Sequence, residues 1–259
     1  MIQLLVEGGE PERNIERAIK FIRDAYANGC ELAILPETLD FAWTHPAALT
    51  EAQPIPGKFS DIFSALAAEL KIWLCLGLTE KRNDKNYNTA IVINHEGELV
   101  LKYSKINLLE VEFPFYEIGN KLEVINSPFG KIGVNICADN YMESGLHSAH
   151  MLARMGAELI LSPSSWTVDH SITEEMNPYH EKWVKPLLCI AKTYNVPFIS
   201  VTSIGYIVGG PYEGKKMVGC SLAVNETGIL AQGEFNEFAS DLKIVEINIK
   251  PQLKKGVQF

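Results

Sequence analysis

The strongest constraint in this chain is a repeated change of hydrophobic period. Over 259 residues, short β-rich apolar runs alternate with longer stretches whose apolar residues fall three and four apart. Such alternation predicts strands gathered into sheets with helices covering their faces. A first strand is expected at 2–6. A helix follows at about 12–28, with Ile15, Ala18, Ile19, Ile22 and Ala25 on one face and Gly29 at its C-terminal stop. The apolar run 32–35 ends at Pro36. The pattern continues with a helix at 59–70, a strand at 72–79, a hairpin-like pair at 89–94 and 99–104, and a strand at 131–137 that ends in Cys137. Later come a helix at about 144–155, a strand at 158–162, a long helix at about 173–194 and a strand at 197–203. Two last β-rich runs, 217–224 and 228–231, are joined by the turn Asn225-Glu226-Thr227-Gly228. No Ser-rich or Pro-rich linker and no repeat interrupts the series, so a single α/β domain over 1–259 with mixed sheets is expected.

Composition serves mainly to exclude. With 47% hydrophobic and 21% charged residues the chain has the material for a sizeable core, which argues against disorder. Acidic residues outnumber basic ones 32 to 23, so the overall field repels nucleic acid and anionic lipid. The longest apolar run of interest, IWLCLGL at 72–78, is far shorter than the roughly 20 residues a membrane span requires. The N-terminus shows no basic and apolar pattern of an export signal. Five cysteines, Cys30, Cys75, Cys137, Cys189 and Cys220, include no close pair. That pattern fits a reducing cytoplasm and gives neither a disulfide framework nor a CxxC site. The six histidines lack HxxxH or HxH spacing, so no metal is expected.

Ligands of α/β sheets gather where strands finish, and three apolar runs here end in a lone reactive residue. LAILPE delivers Glu37, LVLKYSKINL delivers Lys105, and KIGVNIC delivers Cys137 followed by Ala138 and Asp139. Each has an ordinary alternative: a glutamate after proline is commonly a solvated loop residue, a lysine between strands a surface charge, a cysteine a small core residue. The core reading is applied to Cys30, Cys75, Cys189 and Cys220. Cys137 differs by its place at a strand end before the small and polar ADNYMES. Residue type and spacing alone leave the roles of Glu37 and Lys105 open.

Together the three blocks AILPET (33–38), YSKINL (103–108) and GKIGVNICADN (130–140) resemble the signature of the nitrilase superfamily of carbon–nitrogen hydrolases, in that family's order. GAELILSPSSW (156–166) and GCSLAVNETG (219–228) resemble its later strand and hairpin, so the likeness runs from Ile2 to about Ile249. The resemblance implies a four-layer α-β-β-α sandwich with two mixed sheets. It further implies a catalytic triad of Glu37 as proton carrier, Lys105 as oxyanion donor and Cys137 as nucleophile, with no cofactor. The Ala138 N–H is the expected second oxyanion donor, and the Lys105 cation is expected to favour the Cys137 thiolate. Glu112, with Glu110 as the alternative, is the expected second glutamate holding Lys105.

True nitrilases usually show Cys-Trp-Glu, whereas Cys137-Ala138-Asp139 is similar to the amidase and carbamoylase branches. The expected function is therefore cleavage of a small linear amide, of amidase, ω-amidase or N-carbamoyl type, through a thioester. A nitrile-processing enzyme and a silent binding module that keeps the fold are the alternatives; a papain-like Cys/His pair has no histidine in a suitable context. Asn140 to Ser144 lack the Arg and Pro-Glu of many relatives, and Asn107-Leu108 replaces a common His-Leu, so no specific substrate carries over. Tyr116, Trp166 and Tyr179 are the candidate pocket walls. A homodimer or larger homo-oligomer is the expected assembly.

Overall fold

The computed structural model describes residues 1–176 and 180–250. Its strands form two sheets. The smaller has the order β2 (Leu32–Ile34), β3 (Trp73–Arg82), β4 (Lys85–Ile93), β5 (Leu99–Ser104), with β2 parallel to β3 and the remaining pairs antiparallel. The larger is centred on β10 (Phe198–Tyr206). The first half of β10 lies between β8 (Leu159–Ser164), parallel, and β12 (Leu222–Asn225), antiparallel; its second half lies between β1 (Ile2–Leu5), parallel, and β11 (Lys216–Val218), antiparallel. β6 (Val124–Ser127) and β7 (Gly130–Val134) extend the sheet beyond β8, and β13 (Gly228–Gln232) extends it beyond β12. The short strands β9 (Thr167–Val168) and β14 (Asp241–Leu242) pair with β11 and β1.

The two-residue period of the strands explains the layering. On β3, Trp73 and Cys75 join an apolar layer between the sheets, whereas Leu74, Leu76 and Leu78 face outward onto α1 (Pro11–Ala27) and α3 (Lys58–Leu70). On the larger sheet Leu159, Leu161, Ile199 and Val201 enter the same inner layer. Ile160, Phe198, Leu222 and Val224 point the other way, onto α4 (His147–Arg154) and α5 (Lys185–Tyr194). The result is the expected four-layer α-β-β-α sandwich. The short helix α2 (Ala48–Glu51) caps the loop that follows β2.

Several expectations are corrected. The strand through Cys137 stops at Val134, and Cys137 instead opens a single helical turn, Cys137–Asn140, because the Asp139 side chain takes the Ile136 N–H at 2.9 Å and diverts the chain from the sheet. The run 217–224 is two strands, parted where Gly219 and Cys220 take φ of +73° and +62°; Cys220 lies in that break, not inside a strand. A side chain at Gly219 would meet the Gln3 amide at 2.1 Å, so the break seats Gln3 against this segment. Among the described residues, the helix expected at 173–194 is a turn at Glu174–Met176, a wide turn at His180–Val184 and then α5, whose first turn carries Pro186; 177–179 lie outside them. Cys189 is exposed, since the buried stripe of α5 runs through Leu187, Ile190, Ala191 and Tyr194 on the other side; Cys30 is only partly buried. β3 and β4 reach further than expected, to a tight hairpin at Asn83, because the polar residues Asn86 and Asn88 belong to the strand.

Candidate active site

Glu37, Lys105 and Cys137 come from three separate places and meet between the sheets. Glu37 follows β2, and its N–H donates to the Ser164 carbonyl of β8 at 3.4 Å, which ties the smaller sheet to the larger. Lys105 follows β5, its N–H donating to Asn88 on β4 at 2.9 Å. All three side chains are almost wholly buried.

Two buried carboxylates flank the ammonium. Lys105 Nζ donates to both oxygens of Glu112 at 2.9 Å and more distantly to Glu37 Oε2 at 3.5 Å. Asn88 Nδ2 donates to the same Glu37 oxygen at 2.6 Å. Glu112 is further fixed by Trp43 Nε1–H (2.7 Å) and the Leu109 N–H (2.8 Å). Glu110, in the same short turn, is exposed, so Glu112 alone of the two reaches Lys105. Among the described residues Glu37 Oε1 is buried without a hydrogen-bond partner of ordinary geometry, while the Cys137 thiol bears on the same carboxylate. An unpaired acceptor of this kind is costly unless a proton arrives there.

The thiol of Cys137 points to the Ser165 carbonyl at 3.3 Å, with the Glu37 and Lys105 charges both acting on it. Cys137 takes φ +43°, a left-handed conformation that a side chain disfavours. Ala138 is the second residue of the same turn and is buried with it. Asp139 holds the turn. It accepts from Tyr103 OH (2.7 Å), the Asn107 N–H (2.9 Å) and Asn107 Nδ2 (3.0 Å) as well as from Ile136, and so locks the Cys137 turn to the segment after β5 that carries Lys105.

Electrostatics set the resting protonation. Burial raises the Glu37 pKa, Lys105 opposes that rise, and Glu112 adds to it. Burial works against the Lys105 charge, yet Glu112, Glu37 and Cys137 outweigh it and hold the ammonium well above its ordinary range. Burial and then Glu37 push the Cys137 thiol well up, against the pull of Lys105. The Lys105 charge does favour the thiolate, as expected, but burial and Glu37 outweigh it.

A narrow cleft leads down to Glu37 and Ser165, walled by Val6, Ala42, Trp43, Ile207, Val208 and Met217. Its free volume of about 10 Å³ is close to the space of one water. Tyr116 and Trp166 are not in its lining. Tyr116 lies one layer behind, packed with Trp43 and Phe115, its hydroxyl accepting from the Thr44 N–H at 3.2 Å. Trp166 stacks edge-on to Trp183 at 4.4 Å in the helix-facing core. Tyr179 lies outside the described residues. No role is expected from the sequence for Trp43, Asn88, Asp139 or Ser165, although Asp139 and Ser165 lie inside the quoted blocks. The alternation of Asn86 and Asn88 on an otherwise apolar strand is the one signal that marks a polar patch inside the sandwich.

A family model described as carbon–nitrogen hydrolase matches residues 2–251. The deaminated glutathione amidase of Mus musculus is 33% identical over 173 residues, covering 60% of this chain and 52% of that protein. A nitrilase of Pyrococcus abyssi is 32% identical, with 62% of each chain covered. The omega-amidase of Homo sapiens is 29% identical, with 65% of this chain and 63% of that protein covered. The matched stretch thus spans 52% to 63% of these relatives' length. Among solved structures, a carbon–nitrogen hydrolase from Helicobacter pylori superposes with a TM-score of 0.78 at 22% identity, covering 92% of this chain and 86% of that one. A mutant amidase from Nesterenkonia sp., showing covalent addition of the acetamide moiety of fluoroacetamide at its active-site cysteine, superposes with a TM-score of 0.75 at 17% identity, covering 91% and 85%. At those identities the two structures bear on the fold alone.

Proposed function

We propose that this chain, which belongs to the carbon–nitrogen hydrolase family, hydrolyses a small linear amide through a thioester on Cys137. The observation that carries the reading is the buried Glu37 carboxylate, acted on by both the Cys137 thiol and the Lys105 ammonium, with its Oε1 unpartnered among the described residues. In the first step Sγ attacks the amide carbonyl as its proton passes to Glu37. The carbonyl oxygen becomes an oxyanion. Lys105 can meet it by releasing its loosest bond, the one at 3.5 Å to Glu37, while Glu112 keeps the ammonium in place. The Ala138 N–H, next in the chain to the nucleophile, is the second donor. Glu37 then gives its proton to the nitrogen, the C–N bond breaks and ammonia or an amine leaves. Water, deprotonated by Glu37, attacks the thioester; the acid is released and Sγ recovers its proton.

The high Cys137 pKa suits this sequence, because sulfur and carboxylate exchange one proton and no exposed thiolate waits between turnovers. The Cys137-Ala138-Asp139 sequence and the amidases among the relatives favour an amide over a nitrile. Intact-mass measurement after rapid acid quench with a mixture of aliphatic amides is expected to show an acyl adduct confined to Cys137. Ammonia release with no adduct on any cysteine would oppose a covalent route.

Glu37 must be ionised to take the thiol proton, and its pKa is raised, so the acid limb of kcat/KM is expected above the ordinary carboxylate value of about 4.3. Activity falls as pH drops through that limb. A pH profile whose acid limb lies at or below the ordinary value would remove Glu37 from the role of base.

Placement of Glu37 also depends on Gly77 of β3. A Cβ there would lie 2.4 Å from Glu37 Cα and 2.9 Å from the Thr38 nitrogen, both backbone atoms with nowhere to retreat. Gly77→Ala is expected to cost about 1–3 kcal/mol in urea unfolding and to lower kcat by about a hundredfold. Full activity in that variant would show that Glu37 does not depend on this contact.

A further inference from the structure

The cleft above Glu37 has an unusual charge balance. Beyond the six apolar walls, its polar lining side chains are Glu37, Ser165, Ser203, His45 and the half-exposed Tyr206, with no lysine or arginine among the described residues. Residues 177–179, Asn-Pro-Tyr, add no cationic side chain. Lys216 is held elsewhere, 3.1 Å from Glu237. Ser203 donates to Ser165 Oγ at 3.0 Å, and Trp43 Nε1–H is spent on Glu112. His45 is different. Its Nδ1 accepts the Ala47 N–H at 3.2 Å, which in the neutral ring puts the proton on Nε2, and no bond from Nε2 is made among the described residues.

The fold makes room for that ring with glycine from two loops. A Cβ at Gly8 would lie 2.8 Å from His45 Cδ2, one at Gly9 2.6 Å from Cε1, and one at Gly209 3.0 Å from Nε2. Gly8 and Gly9 follow β1 and Gly209 follows β10, so both loops leave out side chains at one imidazole. Burial pushes the ring toward its neutral form, with only Glu51 acting in the opposite sense. The ring therefore offers a hydrogen-bond donor without a full charge.

Resting on the amidase reading above, we infer that the substrate is a short amide uncharged at its far end, whose carbon chain parts the apolar walls of a cleft that holds about one water at rest and whose distal oxygen accepts from His45 Nε2–H. A carboxylate there would meet no lysine or arginine in the lining, and the ammonium beside Glu37, Lys105, is already held by both oxygens of Glu112, which excludes ω-amides of dicarboxylic acids as the preferred class. His45 acts as a specificity residue.

Three amides of nearly equal size test this: pentanamide, levulinamide, which carries a neutral ketone at the far end, and succinamate, which carries a carboxylate there. Ammonia release by the intact protein is expected to give a kcat/KM for levulinamide about tenfold above pentanamide, the effect of one neutral hydrogen bond. Succinamate is expected about a hundredfold below levulinamide. His45→Leu is expected to bring the levulinamide to pentanamide ratio to about one, and His45→Gln, which keeps a donor, to preserve most of it. A wild-type preference for succinamate overturns the inference while leaving the amidase reading intact. So does a ratio that His45→Leu does not change. No ammonia from any of the three, with no adduct on Cys137, overturns both.

Discussion

Cys137→Ala is expected to lower ammonia release by about four orders of magnitude or more, because the covalent route is lost and the oxyanion donors have no intermediate to stabilise. Stability should move very differently. The position is held at φ +43°, where any side chain is strained. At an ordinary site glycine is about 0.5–1 kcal/mol less stable than alanine. At residue 137 that order is expected to reverse, with Cys137→Gly unfolding at a higher urea concentration than Cys137→Ala although neither turns over substrate. The comparison separates two properties of one residue. The thiol serves chemistry, and the left-handed turn, held by four hydrogen bonds to Asp139, serves its placement. Equal activity in Cys137→Ala and the wild type would dismiss the nucleophile. Glycine less stable than alanine would dismiss the strain.

Much of the architecture was legible because hydrophobic period is written locally. The short apolar runs that open β3, β8 and β10 mark strands with two buried faces, and the stripe of α1 marks a helix with one. Glu37, Lys105 and Cys137 stand out for a related reason, as lone reactive residues closing apolar runs, but only the resemblance of the three blocks assigns them roles. What escaped depends on partners distant in sequence. Asp139 diverts the chain before Cys137 only because Tyr103 and Asn107 lie across from it. Nothing near Glu112 says that Trp43, 69 residues earlier, will hold it. Tyr116 and Trp166 looked like pocket walls because aromatic residues near a site often are, yet both went into cores one layer back. The sign of the Cys137 shift was hidden as well. The sequence displays the lysine that lowers it and conceals the burial that raises it.

That burial makes Lys105 the residue whose loss should be felt most widely. Its ammonium stands against two carboxylates whose side chains are fully buried, at 2.9 Å from Glu112 and 3.5 Å from Glu37. Lys105→Met keeps most of the volume and removes the charge. It leaves both acids without their cation, and breaking a buried pair in this way costs about 3–5 kcal/mol. Activity should fall by at least about a hundredfold from the missing oxyanion donor. The two losses are separable, because only one of them concerns charge balance. Adding Glu112→Gln to Lys105→Met removes one uncompensated carboxylate, so the double variant is expected to regain a measurable part of the lost unfolding free energy while its kcat stays at the level of the single variant. Guanidinium unfolding and ammonia release, measured on the same preparations, decide it. If the second substitution restored turnover, Lys105 would be serving only to neutralise Glu112. If stability did not recover, the acids would be taking up protons in place of the lysine, and the loss in Lys105→Met would be one of packing.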